Sequence, residues 1–419
     1  MDSEIKKRIA QIRRGEVPEG YKKTKYGILP ADWTVYILGD CLSRIEKPVK
    51  VNPNEWYTQI GIRSHGKGLF YKEPVTGAEL GNKAVYWVQP NCFVLNIVFA
   101  WEQAIGKTSQ AEAGMIGSHR FPMYRPINDK IDIDYLIAYL LTKRGTDILE
   151  MASPGGAGRN RTLGQEHFLK SKVVFPSVVE QQKIAAILTT QDKVIELKEN
   201  RLAEKLRQKM YLMQQLLTGK KRLPGFNIAW KKTKLKNILH ERKTYSPKGL
   251  EYPHVTLSTE GIFPKSDRYD RDHLVRDEYK EYKITHKGDI CYNPANLKFG
   301  VICENTFGDA IFSPIYVTFE VNQNVCKEYL ANYLMRWDFI NAVRKYEEGT
   351  VYERMAVKPE DFLKFEILLP HIAEQSAIAQ VLSTADREIS LLRQDIEQEK
   401  QKKKALMQLL LTGIVRTTV

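Results

Sequence analysis

The chain has 419 residues, with 64 lysines and arginines against 50 acidic residues, a net charge of +14, a pI near 9.3 and 43% hydrophobic residues. That length excludes a single compact core, and the apolar content excludes a generally disordered chain. The basic balance favours a polyanionic partner. The cysteines, Cys41, Cys92, Cys291, Cys303 and Cys326, contain no CxxC and no Cys/His set at zinc spacing, so reduced thiols and no metal are expected. The first residues have no apolar signal core, and no stretch approaches the ~18 apolar residues of a membrane span, which makes the cytoplasm the expected location.

From the N-terminus, Ile5, Ile9 and Ile12 keep a helical step into Arg14-Gly15-Glu16-Val17-Pro18, where glycine signals a stop. A mixed α/β region follows. Tyr57, Ile60 and Ile62, which pair with Tyr252, Val255 and Leu257 at offset 195, lead into Arg63-Ser64-His65-Gly66-Lys67-Gly68, a glycine-containing turn between apparent strands carrying two cations, a hydroxyl and an imidazole. Arg63, Ser64, His65 and Lys67 can there reach base edges or phosphates. An amphipathic helix is predicted at 134–140. Beyond it, Gly155-Gly156-Ala157-Gly158-Arg159-Asn160-Arg161 combines close backbone approach with side chains, Arg159, Asn160 and Arg161, suited to phosphate or guanine. No Gly-Lys-Ser/Thr follows, so it is not a P-loop. Read alone, the turn and the loop also fit an ordinary polar hairpin and a plain connection. A strand is predicted at Val173-Val174-Phe175.

Between Pro176 and Gly219 the chain has no other proline or glycine, so 177–219 reads as one helix of about 40 residues, about 60 Å long. Leu188, Ile195, Leu202, Lys209 and Leu216 recur on a seven-residue step, the mark of a coiled-coil seam. A long helix packed on its own domain is the alternative.

Basic runs at Lys220-Lys221-Arg222 and Lys231-Lys232 open a second region, 220–370. Ser258-Thr259-Glu260-Gly261 stands where the first region has its polar turn. Its different donors and acceptors, with Ser258 and Thr259 as candidates, predict that the two regions read different sequences. The segment 276–283 reads as a charged surface helix, and alternation predicts strands over 292–303 and 311–321. Lys298 is a further DNA-contact candidate. Gly349-Thr350-Val351-Tyr352-Glu353-Arg354 takes the place of the glycine loop, with Tyr352 and Arg354 as candidates.

Two enzyme-like fragments fail on their own residues. Asn293-Pro294-Ala295-Asn296 lacks the second proline and the aromatic of the amino-methyltransferase motif. Glu278-Tyr279-Lys280, with Asp267 or Asp270, only imitates the spacing of a Mg-dependent nuclease. No catalytic residue is assigned. In 371–419 a second long helix repeats the seam at Leu382, Ile389, Ile396, Lys403 and Leu410, and Lys402-Lys403-Lys404 reads as a solvated face.

Self-comparison organises these elements. Residues 176–219 and 370–413 align without a gap at an offset of 194, with 18 of 44 positions identical. Both copies open on Pro and Glu-Gln (Pro176, Glu180, Gln181; Pro370, Glu374, Gln375) and close on Leu-Leu-Thr-Gly. At the same offset 134–140 matches 328–334, and Glu166-His167-Phe168-Leu169-Lys170 matches Glu360-Asp361-Phe362-Leu363-Lys364. Trp33 and Leu38 pair with Trp230 and Leu235 at offset 197. The N-terminal fragment resembles the end of the long helix placed ahead of the first region, as a circularly closed arrangement needs. The expected organisation is α+β: an N-terminal helix (1–20), a first domain (21–176), a spacer helix (177–219), a second domain (220–370) and a second spacer helix (371–419).

The Pro-x-x-x-Glu-Gln openings, the Leu-Leu-Thr-Gly endings, their repetition after two dissimilar domains, and Lys220-Lys221-Arg222-Leu223-Pro224-Gly225-Phe226 leading to Trp230 together resemble the specificity subunit of type I restriction-modification systems. The resemblance covers essentially the whole chain. It implies two target-recognition domains, each reading half of a split, asymmetric double-stranded DNA sequence. It also implies an antiparallel coiled coil that sets the spacing, with the seam from Leu188 to Leu216 spanning about 42 Å and half-sites about one DNA turn apart. The partners it implies are two methyltransferase subunits bringing S-adenosylmethionine and motor-nuclease restriction subunits using ATP and Mg, this chain binding no cofactor of its own. A stand-alone DNA nuclease or methyltransferase, and a coiled-coil scaffold that binds no DNA, are the competing readings.

Overall fold

The structure, a computed structural model, describes residues 3–155, 161–247, 251–265, 281–346 and 356–417. The chain forms two units, Met1–Lys198 with Asp395–Val419, and Glu199–Gln394. The two long helices, Val178–Leu216 and Ile372–Leu410, are each divided between them.

In the first unit a four-stranded antiparallel sheet runs in the order Ile105–Lys107, Phe93–Leu95, Met123–Pro126, Leu42–Ile45. Apolar side chains on its core face meet the helices Ile133–Leu140 and Lys143–Met151. Phe93, Tyr124 and Phe168 form a three-ring cluster with centroids 6.0 to 6.3 Å apart. The same core continues into Ile184 and Leu188 of the first long helix and Leu410 and Leu411 at the end of the second. Asp132 and Thr142 cap the two short helices, each accepting from a backbone N–H three residues on.

The second unit repeats the plan. Its four-stranded sheet runs Leu239–Glu241, Val317–Val321, Ile290–Tyr292, Ile302–Glu304. The helices Lys327–Leu334 and Trp337–Val343 cover it, and Tyr292, Phe319 and Phe362 stack at its centre.

Two expected strands are in fact pairs of strands. A turn containing Pro294 and Gly300 separates Ile290–Tyr292 from Ile302–Glu304, and Pro314 lies between Ala310–Phe312 and Val317–Val321. The expected surface helix over 276–283 is corrected for its described part: Glu281–Thr285 is a strand in which Lys283 is buried against Glu241 at 3.0 Å.

The Glu-Gln opening proves to be a joint. Gln181 donates to the carbonyls of Pro176 and Lys130, both at 3.0 Å, and accepts from Asp132 N at 2.9 Å. This fastens the start of the long helix to the start of helix Ile133–Leu140. Gln375 does the same in the second unit, donating to Pro370 O and accepting from Cys326 N, each at 2.9 Å. The neighbouring glutamates are each 1% exposed. Glu180 takes a two-pronged pair from Arg416, both bonds 2.7 Å, and Glu374 takes one from Arg222 at 2.5 and 2.7 Å. Two fixed guanidinium bonds suit a carboxylate that has lost its water.

Within each unit the long-helix segments run antiparallel. Lys403 pairs with Asp192 and Lys198 with Asp395 in the first unit, and Lys209 with Asp386 and Lys205 with Glu388 in the second. The Lys403–Asp192 and Lys209–Asp386 bonds, both 2.5 Å, are one contact repeated at the sequence offset. Lys403 is therefore not a solvated residue: its stem follows the seam and its ammonium reaches the facing helix. Leu188, Ile195, Leu216, Leu382, Ile389, Ile396 and Leu410 are buried, while Leu202 is half-buried.

Gly15, Gly219 and Gly413 end their helices at φ of 78°, 72° and 72°, the left-handed stop that favours glycine. The N-terminal helix Ser3–Arg13 meets the end of the second long helix: Arg8 donates to Ile414 O at 3.1 Å, and Tyr21 OH to Gly413 O at 2.7 Å.

Candidate nucleic-acid interface

In the first unit, the polar turn 63–68 caps the hairpin of Ile60–Ile62 and Leu69–Tyr71. His65, Gly66 and Gly68 hold φ of 60°, 63° and 72°. This left-handed run is fixed from outside, since His65 N donates to Glu102 O at 2.7 Å, Gly66 N to Gln103 O at 2.9 Å, and Ser64 Oγ to the Glu102 carboxylate at 2.9 Å. Ser64 is thus a fastening rather than an open donor. Arg63 donates to Leu69 O at 2.7 Å and lies over the Phe70 ring, whereas His65 and Lys67 are exposed.

The residues that receive this loop belong to a turn the sequence reading missed. Asn96 accepts from Val98 N at 3.1 Å through its side chain, Phe99 O accepts from Ala104 N at 3.1 Å, and Gln103 adopts φ of 60°. Trp101 stands at the tip, its indole N–H donating to Val98 O at 3.1 Å, with the Arg161 guanidinium over its ring at 5.5 Å. Leu163 N donates to Ile97 O at 2.8 Å and draws the chain after the glycine loop onto the turn. The polar turn, the Trp101 turn and Arg161 thereby converge. Arg159 and Asn160 lie outside the described residues.

The second unit builds the same turn from Asn293-Pro294-Ala295-Asn296. Asn293 accepts from Ala295 N at 3.1 Å, Asn296 O accepts from Val301 N at 3.4 Å, Gly300 takes φ of 81°, and Val357 N donates to Pro294 O at 3.2 Å. The asparagine side chain is thus committed to its own turn. Lys298 is at the tip over the ring of Phe299, which is 64% exposed. Ser258 and Thr259 occupy the hairpin turn between Val255–Ser258 and Gly261–Pro264, where Ser258 Oγ accepts from Glu260 N at 3.1 Å and Thr259 is exposed. Tyr352 and Arg354 lie outside the described residues. The available signal was Asn96 and Asn293 at offset 197, the spacing that already paired Trp33 with Trp230.

Burial raises all five cysteine thiols above their ordinary value, Cys303 to about 12, so none is poised as a thiolate. Among the described residues no His/Cys/Asp/Glu group could hold a metal, and no helix is long and apolar enough to cross a membrane.

One frame used twice, with unlike side chains at equivalent loop tips, defines a tandem-repeat protein of two mixed α/β domains and two long helices. The chain belongs to the type I restriction modification DNA specificity family, whose domain model matches residues 49–207 and 227–401. It is 23% identical to the type I restriction enzyme MjaVIII specificity subunit of Methanocaldococcus jannaschii, over 95% of this chain and 96% of that one. Its fold is similar to the type I restriction-modification S subunit of M. genitalium, with a TM-score of 0.55 at 10% identity, covering 92% and 97% of the two chains. A chain from a structure described as the structural basis of complex assembly and conformational transition of the type I R-M system gives 0.57 at 15% identity, covering 92% and 99%.

Proposed function

We propose that this chain is the address-reading subunit of a type I restriction-modification complex. Each unit reads one half of a split, asymmetric sequence in double-stranded DNA, and the long helices space the halves. The observation that carries this reading is the pair of Asn-clamped turns, alike in backbone and unlike at Trp101 and Lys298. Two modules on one frame with different side chains at the turn suit two different half-sequences.

Arg63, His65, Lys67 and Arg161 in the first unit, and Ser258, Thr259 and Lys298 in the second, are the described residues proposed to face DNA. The chain is proposed to be non-catalytic and free of its own cofactor. Two methyltransferase subunits would bring S-adenosylmethionine, and restriction subunits ATP and Mg, in the cytoplasm where the DNA is. The buried, protonated thiols support this reading by removing one class of nucleophile.

The test is to co-purify the chain with its methyltransferase partner and map methylated positions on genomic DNA. A two-part motif with a fixed unread spacer is expected. Cutting or methylation by the chain alone, or no sequence preference in the complex, would overturn the reading.

A further inference from the structure

The two Asn-clamped turns share the asparagine clamp, the closing backbone bond and the left-handed residue that shape them, and differ in the side chains at the tip. In the first unit, Trp101 spends its indole N–H on Val98 O, so the ring is locked, and Arg161 lies over it. Among the described residues Arg161 has no carboxylate partner and its guanidinium contacts only the Trp101 ring, with no hydrogen bond from its donor fork to any of them. Glu102, next along, has its carboxylate on Ser64 and its carbonyl on His65 N, which pins the loop bearing exposed Lys67 beside the turn. In the second unit Lys298 stands where Trp101 does and Phe299 where Glu102 does, an ammonium beside a phenyl ring left mostly in water on a rigid turn. A rigid frame with exchanged tip side chains is how loops on a scaffold carry specificity.

We propose that this turn is the base-reading finger of each unit. Arg161, stacked on Trp101, takes a guanine edge in the first half-sequence through two parallel bonds, the commonest specific arginine contact. Lys298 donates to a base edge in the second half-sequence, and Phe299 packs on the neighbouring base or a thymine methyl. Glu102 is a positioning residue. The inference rests on the DNA-reading function proposed above.

The experiment maps the methylated motif of the complex with its methyltransferase partner, for the wild type and for Arg161→Ala, Arg161→Lys, Lys298→Ala and Phe299→Ala. Arg161→Ala should relax one guanine position of the first half-sequence, lowering discrimination there roughly ten- to hundredfold while the second half stays unchanged. Arg161→Lys should not restore it, because an ammonium cannot make the paired bonds. The Lys298 and Phe299 variants should alter only the second half. An unchanged motif in Arg161→Ala or in Phe299→Ala overturns the inference, as does a loss of methylation uniform over all sequences, which marks phosphate contact. Should Arg161→Ala fail to assemble, Phe299→Ala decides, since trimming an exposed ring leaves the fold intact. Absence of any split motif in the wild type would instead sink the function itself.

Discussion

Arg416 and Arg222 show what one side chain does here, because each neutralises a carboxylate that has almost no water. Arg416→Ala leaves Glu180 buried and unpaired, a change that costs about 3–5 kcal/mol in comparable sites. Arg222→Ala should cost less, since the Trp230 indole still donates to Glu374 at 3.0 Å. Its counterpart Trp33 has a buried indole N–H with no partner among the described residues. Denaturant unfolding of the two variants checks the order, and equal losses would refute it. Glu399 gives the pH dependence: hydrogen bonds from Lys198 and Gln191 hold its carboxyl down to about 2. A carboxyl whose pKa falls on folding contributes fully above its unfolded value, about 4.3, and loses that contribution as pH falls to about 2. Thermal midpoints of the wild type and Glu399→Gln should therefore differ at neutral pH and converge between about pH 5 and 2.

At the scale of the element, the seam mixes buried leucines with cross-helix ion pairs. Leu382 is fully buried and Leu202 half-buried, so Leu382→Ala should cost about 2–5 kcal/mol and Leu202→Ala clearly less. Lys209→Glu places like charges against Asp386 and should lower the thermal midpoint, and adding Asp386→Lys should recover most of the loss. If the double variant is no better than the single, the pair does not hold the helices in register. These helices were legible because their signals are local: a proline, a glycine and a seven-residue step. Arg416 was not, because it lies just past the matched stretch that ends at Gly413, although it stands at the same offset from Arg222. The Asn-clamped turns were hidden too. Their asparagine side-chain bonds span only two or three residues, their register has drifted from 194 to 197, and Asn293-Pro294 invited comparison with a catalytic motif it does not complete. The candidate site was half legible. Charged loop residues announced themselves by type, whereas Trp101, Glu102 and Phe299 matter through where the chain places them.

For the whole molecule, the proposed spacing of two half-sequences depends on two helices of one length, each 39 residues. Inserting one heptad into both, between seam positions, preserves the side-chain phase of the coiled coil and adds about 10 Å at helical rise. At ~3.4 Å of rise per base pair, the unread spacer should grow by about three base pairs while both half-sequences stay as they were. Inserting seven residues into only one helix breaks the pairing of Lys209 with Asp386 or of Lys403 with Asp192, and should cost stability without producing a new defined spacer. Motif mapping of the assembled complexes separates the outcomes. A doubly extended chain that assembles and still methylates with the original spacer would mean that the helices hold the units but do not measure the DNA.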